Sequence, residues 1–148
     1  NTEADIALIF SNDPDTTPKV DVVVVELKKR GVKLEDNVKA IVQLQQRAIK
    51  LMHLYPQKIQ RIWFYAIVEF NDELKLYLEN NRFTELFSKD SLYYREDEIK
   101  LSLNSTEKCN IGLYVLSLDA FIQDAEGRNL TFLKILKENF IKSENNKT

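Results

Sequence analysis

Short unbroken apolar runs alternate along this chain with longer stretches whose apolar residues recur every three to four positions. Residues 5–10, Asp-Ile-Ala-Leu-Ile-Phe, predict a strand. Asn12, Asp13, Pro14, Asp15 and Pro18 follow and predict a turn-rich connection. Residues 21–28, Asp-Val-Val-Val-Val-Glu-Leu-Lys, predict a strand apolar on both faces, because four branched side chains in a row suit the pleat and resist the helix. The two strands are expected to pair as a hairpin. Gly31 is expected to end the second one. Val38, Ile41, Val42, Leu44, Ala48, Ile49, Leu51 and Met52 then set a helical period over 35–54, stopped by Pro56. Residues 62–70 predict another strand. Strand, helix and strand over this length predict parallel pairing through a right-handed crossover.

The second half is less regular. Residues 72–88 predict one or two helices carried by Leu74, Leu76, Leu78, Phe83, Leu86 and Phe87. Residues 91–95 predict a short edge strand, 97–110 a polar loop and 111–117 the last strand. Helices are expected at 118–125 and 129–141, before a polar tail. The fold class is therefore α/β, a mixed sheet flanked by helices. The 148 residues suit one domain, with a motif-bearing region at 4–70 and a C-terminal elaboration at 71–141. The chain opens on Asn1 without an initiator methionine, which suggests a piece of a longer protein.

Composition changes this picture little; charge changes it more. A net charge of -2 argues against a general nucleic-acid coat protein. Residues 19–61, however, hold ten Lys/Arg against four Asp/Glu, and the rest of the chain is acidic. A basic region beside acids suits a site for a polyanion and a metal, though a solvated helix face also explains it. A single cysteine, Cys109, excludes an intramolecular disulfide and fits a reducing, cytoplasmic setting. No apolar run nears the roughly 20 residues that cross a bilayer.

The candidate chemistry lies in Glu26-Leu27-Lys28. Alternation along a strand puts Glu26 and Lys28 on one face, where the valine strand leaves the core. In open α/β sheets, sites collect beyond the carboxyl ends of strands. Phosphodiester hydrolysis needs hard oxygen ligands for Mg²⁺ or Mn²⁺, a cation against the developing charge, and a phosphate held in line. Glu26 offers the ligand and Lys28 the cation. Asp5 is expected to bring the second carboxylate, since the start of the first strand lies beside the end of the second. Asp21 points to the opposite face at the other strand end. On its own, Glu-x-Lys at a strand end is most often a surface ion pair.

An Asp opening one strand, a turn, a hydrophobic strand ending Glu-x-Lys and a long helix together resemble the PD-(D/E)XK nuclease superfamily. Asp5, Glu26 and Lys28 match its core positions, with Ala4 where many members have Pro. Gln43-Leu44-Gln45-Gln46-Arg47 is similar to the Gln-rich helical motif of some branches. Tyr93-Tyr94-Arg95 and the segment from Val115 to Asp119 weakly resemble the closing strand and helix of Shedu-type anti-phage nuclease domains. The resemblance implies a restriction-endonuclease-like core and a Mg²⁺- or Mn²⁺-dependent endonuclease acting on DNA, in anti-phage defence. It implies catalytic roles for Asp5, Glu26, Lys28 and Gln43, metal ligation by Asp5, Glu26 and the Leu27 backbone carbonyl, and DNA contacts from Lys29, Arg30 and Arg47. A homo-oligomer or further domains of a parent chain are expected as partners. The alternative is a nuclease-fold domain that has lost catalysis and binds nucleic acid or protein. His53 reads as a surface or capping residue, and Trp63, Phe64 and Tyr65 read as sheet and core. Cys109 lacks the neighbours of a nucleophile or zinc ligand.

Overall fold

The valine run does what branched side chains favour. In the computed structural model, which describes residues 4–28, 33–86 and 91–128, Val20–Lys28 form strand β2, with every residue from Val22 to Leu27 buried. Ahead of it lies β1 (Ala4–Phe10). After it come helix α1 (Leu34–Leu54), β3 (Ile59–Ile67), α2 (Asp72–Asn80), β4 (Thr84–Glu85), β5 (Leu92–Lys100), β6 (Lys108–Leu116) and α3 (Leu118–Arg128).

The six strands make one mixed sheet in the order β1-β2-β3-β6-β5-β4. β1 pairs antiparallel with β2, while β2–β3 and β3–β6 are parallel. The expected hairpin and the expected parallel strand–helix–strand unit are both present. α1 covers one face, where Val22, Val24, Phe64 and Leu113 meet Ile41, Leu44 and Ala48. The opposite face of the same strands packs Val23, Val25, Leu27, Tyr65 and Ile67 against Ala120 and Phe121 of α3. β2 is thus shared by two cores, which is why its sequence shows no polar alternation. Among the described residues, no helix is long and apolar enough to cross a membrane.

Several boundaries differ from the sequence expectation. β3 starts at Ile59 and ends at Ile67, not at residues 62 and 70. α2 stops at Asn80 because the chain turns through Arg82, whose φ of 68° is left-handed. The Phe83 amide then donates to the Leu78 carbonyl at 3.0 Å, closing a Schellman-type cap with both side chains buried. β5 runs nine residues and sits one strand in from the two-residue β4, so it is neither short nor the edge. Half of the expected loop at 97–110 is strand: β5 reaches Lys100 and β6 starts at Lys108. The helix expected at 129–141 and Gly31 lie outside the described residues.

On β5, Tyr93 is 1% exposed, stacks on Phe70 with centroids 5.9 Å apart, and donates its hydroxyl to Glu79 at 3.2 Å. Burial, then the Glu79 hydrogen bond and the charges of Glu85 and Glu79, push its pKa up to about 12. The folded state therefore holds this proton more tightly than the unfolded chain, whose tyrosines release theirs near ~10. The stabilisation is complete below that pH and is lost as pH rises through the folded value. Alkaline denaturation curves should show Tyr93→Phe losing less stability than the wild type between pH 10 and about 12. Equal slopes for the two proteins would contradict this placement.

On the α3 face, Trp63 lies flat across β6. A Cβ added at Gly112 would meet the Trp63 ring at 2.6 Å, so only glycine leaves room for it. Arg61 covers Trp63, its guanidinium carbon 4.1 Å from the ring centroid, and donates to Glu96 at 2.9 Å. Tyr114 stacks between Trp63 and Tyr65. Trp63 and Tyr65 are therefore sheet packing, as their sequence context suggested.

Candidate functional site

β2 ends where its buried face meets α1, and the strand places a carboxylate there. Glu26 is 2% exposed, the most deeply buried charged residue among those described. Its Oε2 faces the Lys28 ammonium at 3.2 Å, and its Oε1 accepts from the Arg47 guanidinium. The i, i+2 spacing on a strand brings Lys28 to the same side as Glu26, as expected. Arg47 arrives from α1, on the turn just below the buried Leu44 and beside buried Ala48. An isolated carboxylate at this depth would carry a heavy desolvation penalty; two cations offset it. The side chains of Lys28 and Arg47 are 14% and 30% exposed, so both also reach solvent.

Asp5 sits at the correct end of the hairpin but not in the expected register. The β1–β2 ladder sets Asp5 against Leu27, Ile6 against Glu26 and Ala4 against Lys28. Antiparallel partners share a face. Position 5 therefore has the parity of Leu27, and the expected meeting of Asp5 with Glu26 and Lys28 on a single face is corrected. The cause is the connection between Phe10 and Val22, whose length pairs odd positions with odd ones.

Gln43 is half-buried on α1, and no hydrogen bond joins it to Glu26 or Lys28 among the described residues. Its neighbour Gln45 instead donates to Asp97 at 3.1 Å. Lys29 and Arg30 lie outside the described residues. Arg47, expected to hold nucleic acid, holds Glu26. The role of Asp97 was not legible in the sequence. Its side chain is 8% exposed and pairs with Arg95 at 3.0 Å and with Arg82 at 3.8 Å, while the Gln45 bond ties it to α1. His53 is exposed in the last turn of α1. Cys109 is buried, and burial raises its thiol pKa, so the reactive thiolate is disfavoured. Tyr94 stays within the sheet, its hydroxyl donating to Glu96 at 3.1 Å.

Beside this group, at the carboxyl ends of the parallel strands, a cleft of about 320 Å³ opens between β2, β3 and α3. Buried Leu27 and Ile67, exposed Glu69 and Asp119, and Lys28 line it. Lys28 thus borders both the cleft and the Glu26 carboxylate.

A hard divalent cation takes carboxylate and carbonyl oxygens and keeps water in its other positions. Glu26 is of the right donor type, and Asp5 belongs to the adjoining strand end. Among the described residues, no three acidic, histidine or cysteine side chains converge to form a complete cage. No protein-family model, no curated protein and no solved structure matches the chain.

Proposed function

We propose that this chain is a DNA-cutting, metal-dependent endonuclease domain on a restriction-endonuclease-like core. The observation that carries the reading is the Glu26 carboxylate, buried at the end of a central strand, with Lys28 beside it and a cleft adjoining. Glu26 and the Leu27 carbonyl would hold the ion, while position 5, in register with Leu27, falls to the parity of the opposite face. When bound, Mg²⁺ or Mn²⁺ supplies an activated water and a Lewis acid for the phosphoryl oxygen. Lys28 sets its ammonium against the charge that develops on the phosphate during attack. Burial around Glu26 excludes bulk water and strengthens each of these charge interactions. The basic stretch at 19–61 supplies general attraction for the DNA backbone.

A second reading keeps the fold without the chemistry, as a nucleic-acid- or protein-binding module. It is favoured by the double pairing of Glu26, which leaves each carboxylate oxygen with a cation partner. Plasmid nicking with Mg²⁺ or Mn²⁺ separates the two. Under the first reading the wild type cuts, Glu26→Gln does not, and Lys28→Ala is slower by about a hundredfold or more. Cutting that survives Glu26→Gln removes the proposal. DNA retention without cutting by the wild type selects the second reading.

A further inference from the structure

The chain changes sides between two neighbouring parallel strands. After β3 it enters α2, whose Leu74 and Leu78 pack in the same core as Ile41 and Leu44 of α1. After β6 it enters α3, whose Ala120 and Phe121 pack on the opposite face. β3 and β6 lie side by side and parallel, so their connections part and leave a crevice beyond the strand ends. Open α/β sheets bind ligands at such a switch point. The cleft of about 320 Å³ lies there: Leu27 and Lys28 come from β2, Ile67 and Glu69 from the end of β3 and just beyond it, Leu118 and Asp119 from the start of α3.

Strand order sorts the charges across this cleft. Lys28 stands on the β2 side, Glu69 on the β3 side and Asp119 on the β6 side, each strand about 4.8 Å from the next. Glu26 is shared by Lys28 and Arg47, so the three side chains together keep one net positive charge. The Lys28 ammonium has more donors than Glu26 takes up. The N-terminus of α3 is not a second anion site, because the Ser117 hydroxyl caps the Ala120 amide at 3.1 Å and Asp119 already sets a negative charge in the first turn. Leu27, Ile67 and Leu118 make the lining between these groups apolar. A ligand that matches this order has an anion at one end, hydroxyl donors in the middle, an amino donor at the other end and a body that covers apolar surface. We infer that the cleft binds a nucleoside monophosphate, free or at the end of a strand: phosphate on Lys28, ribose hydroxyls donating to Glu69, the exocyclic amino group of the base donating to Asp119. Binding of this kind calls for no divalent cation, and the inference does not rest on the endonuclease reading.

The test is equilibrium dialysis of AMP against the full chain with EDTA present, so that neither metal nor cutting enters the readout. The wild type should bind AMP with a sub-millimolar dissociation constant, well inside the efficiency bound for a ligand of this size. Adenosine, which lacks the phosphate, should bind about tenfold more weakly, as the loss of a charge-assisted hydrogen bond predicts. Lys28→Met should bring AMP down to the level of adenosine and leave adenosine itself unchanged. Asp119→Ala should weaken AMP and adenosine alike, while a purine nucleotide without the amino group should bind both proteins equally. Should Lys28→Met fold poorly, Lys28→Gln removes the same charge, keeps a polar contact to Glu26 and should give the same order. A 5′-phosphorylated oligonucleotide that binds more tightly than AMP assigns the nucleotide to a strand end; one that binds equally or less tightly assigns it to a free ligand. AMP that fails to bind in the millimolar range, or that binds the folded Lys28 and Asp119 variants as it binds the wild type, overturns the site. That failure would leave the plasmid test of the endonuclease reading untouched, so the two are told apart.

Discussion

Glu26→Ala should lower the stability of the fold by about 3 kcal/mol, the near end of the range for removing one member of a buried ionic group. The near end applies because the two cations left behind are partly exposed and can turn toward water. For a chain of this size the melting temperature should fall by roughly 6–12 °C. The loss should persist in high salt, since screening acts weakly on a carboxylate that is 2% exposed. The paired replacement Glu26→Leu with Arg47→Met should recover most of it, because an apolar pair of similar volume often matches a buried ion pair. Thermal denaturation of the three proteins checks this. A Glu26→Ala variant that melts with the wild type would show that the ionic group contributes nothing to folding. The comparison also separates stability from chemistry: the paired variant should be well folded and inactive.

Gly112→Ala should destabilise the protein by about 1–2 kcal/mol, the balance of overpacking against the backbone entropy an alanine saves. The new Cβ would lie 2.6 Å from Cε3 and 2.7 Å from Cζ3 of Trp63, and 3.3 Å from the Tyr94 hydroxyl. The indole ring is rigid and is covered by Arg61, so it cannot yield by a simple rotation. It has to leave the surface of β6. Trp63 is the single tryptophan, so its fluorescence reports the displacement directly and should shift to the red. Gly112→Val, with more bulk at the same point, should do both to a greater degree. Truncating the ring should relieve the clash, so Trp63→Ala should cost less in the Gly112→Ala background than alone. The coupling expected for residues in contact is ~0.5–3 kcal/mol. Additive effects and an unmoved emission maximum would contradict the packing described for this face.

The legible parts of the fold were those where a single physical effect dominates. Four branched residues fixed β2, and a long apolar stripe with a proline beyond it fixed α1. Glu26 and Lys28 were placed on one face by alternation alone, and that needs no knowledge of the rest. The parts that were not legible depend on partners distant in sequence. Residues 97–100 read as loop because they are charged, yet Asp97 is held by Arg95 and by Gln45 from α1. Arg95 also lies over the Phe83 ring at 4.6 Å, so a polar strand is stabilised from its buried side. α2 ends at an arginine in a conformation usually left to glycine, so the ordinary stop signal is missing. Asp5 was placed at the correct strand end, but its parity depends on loop geometry that composition does not encode. The helix face reads Arg47 as a nucleic-acid contact, whereas the structure pairs it with Glu26. That partner was not legible, because the depth at which Glu26 lies is a tertiary property.

The connection from Phe10 to Val22 does more than join two strands: it sets the phase of everything before it. Removing or adding one residue there would shift the β1–β2 register by one and carry position 5 to the parity that Glu26 has. Changes of two residues would preserve the phase. The turn-rich segment around Asn12 and Pro18 looks like surface filler, but it acts as a parity lock on the proposed centre.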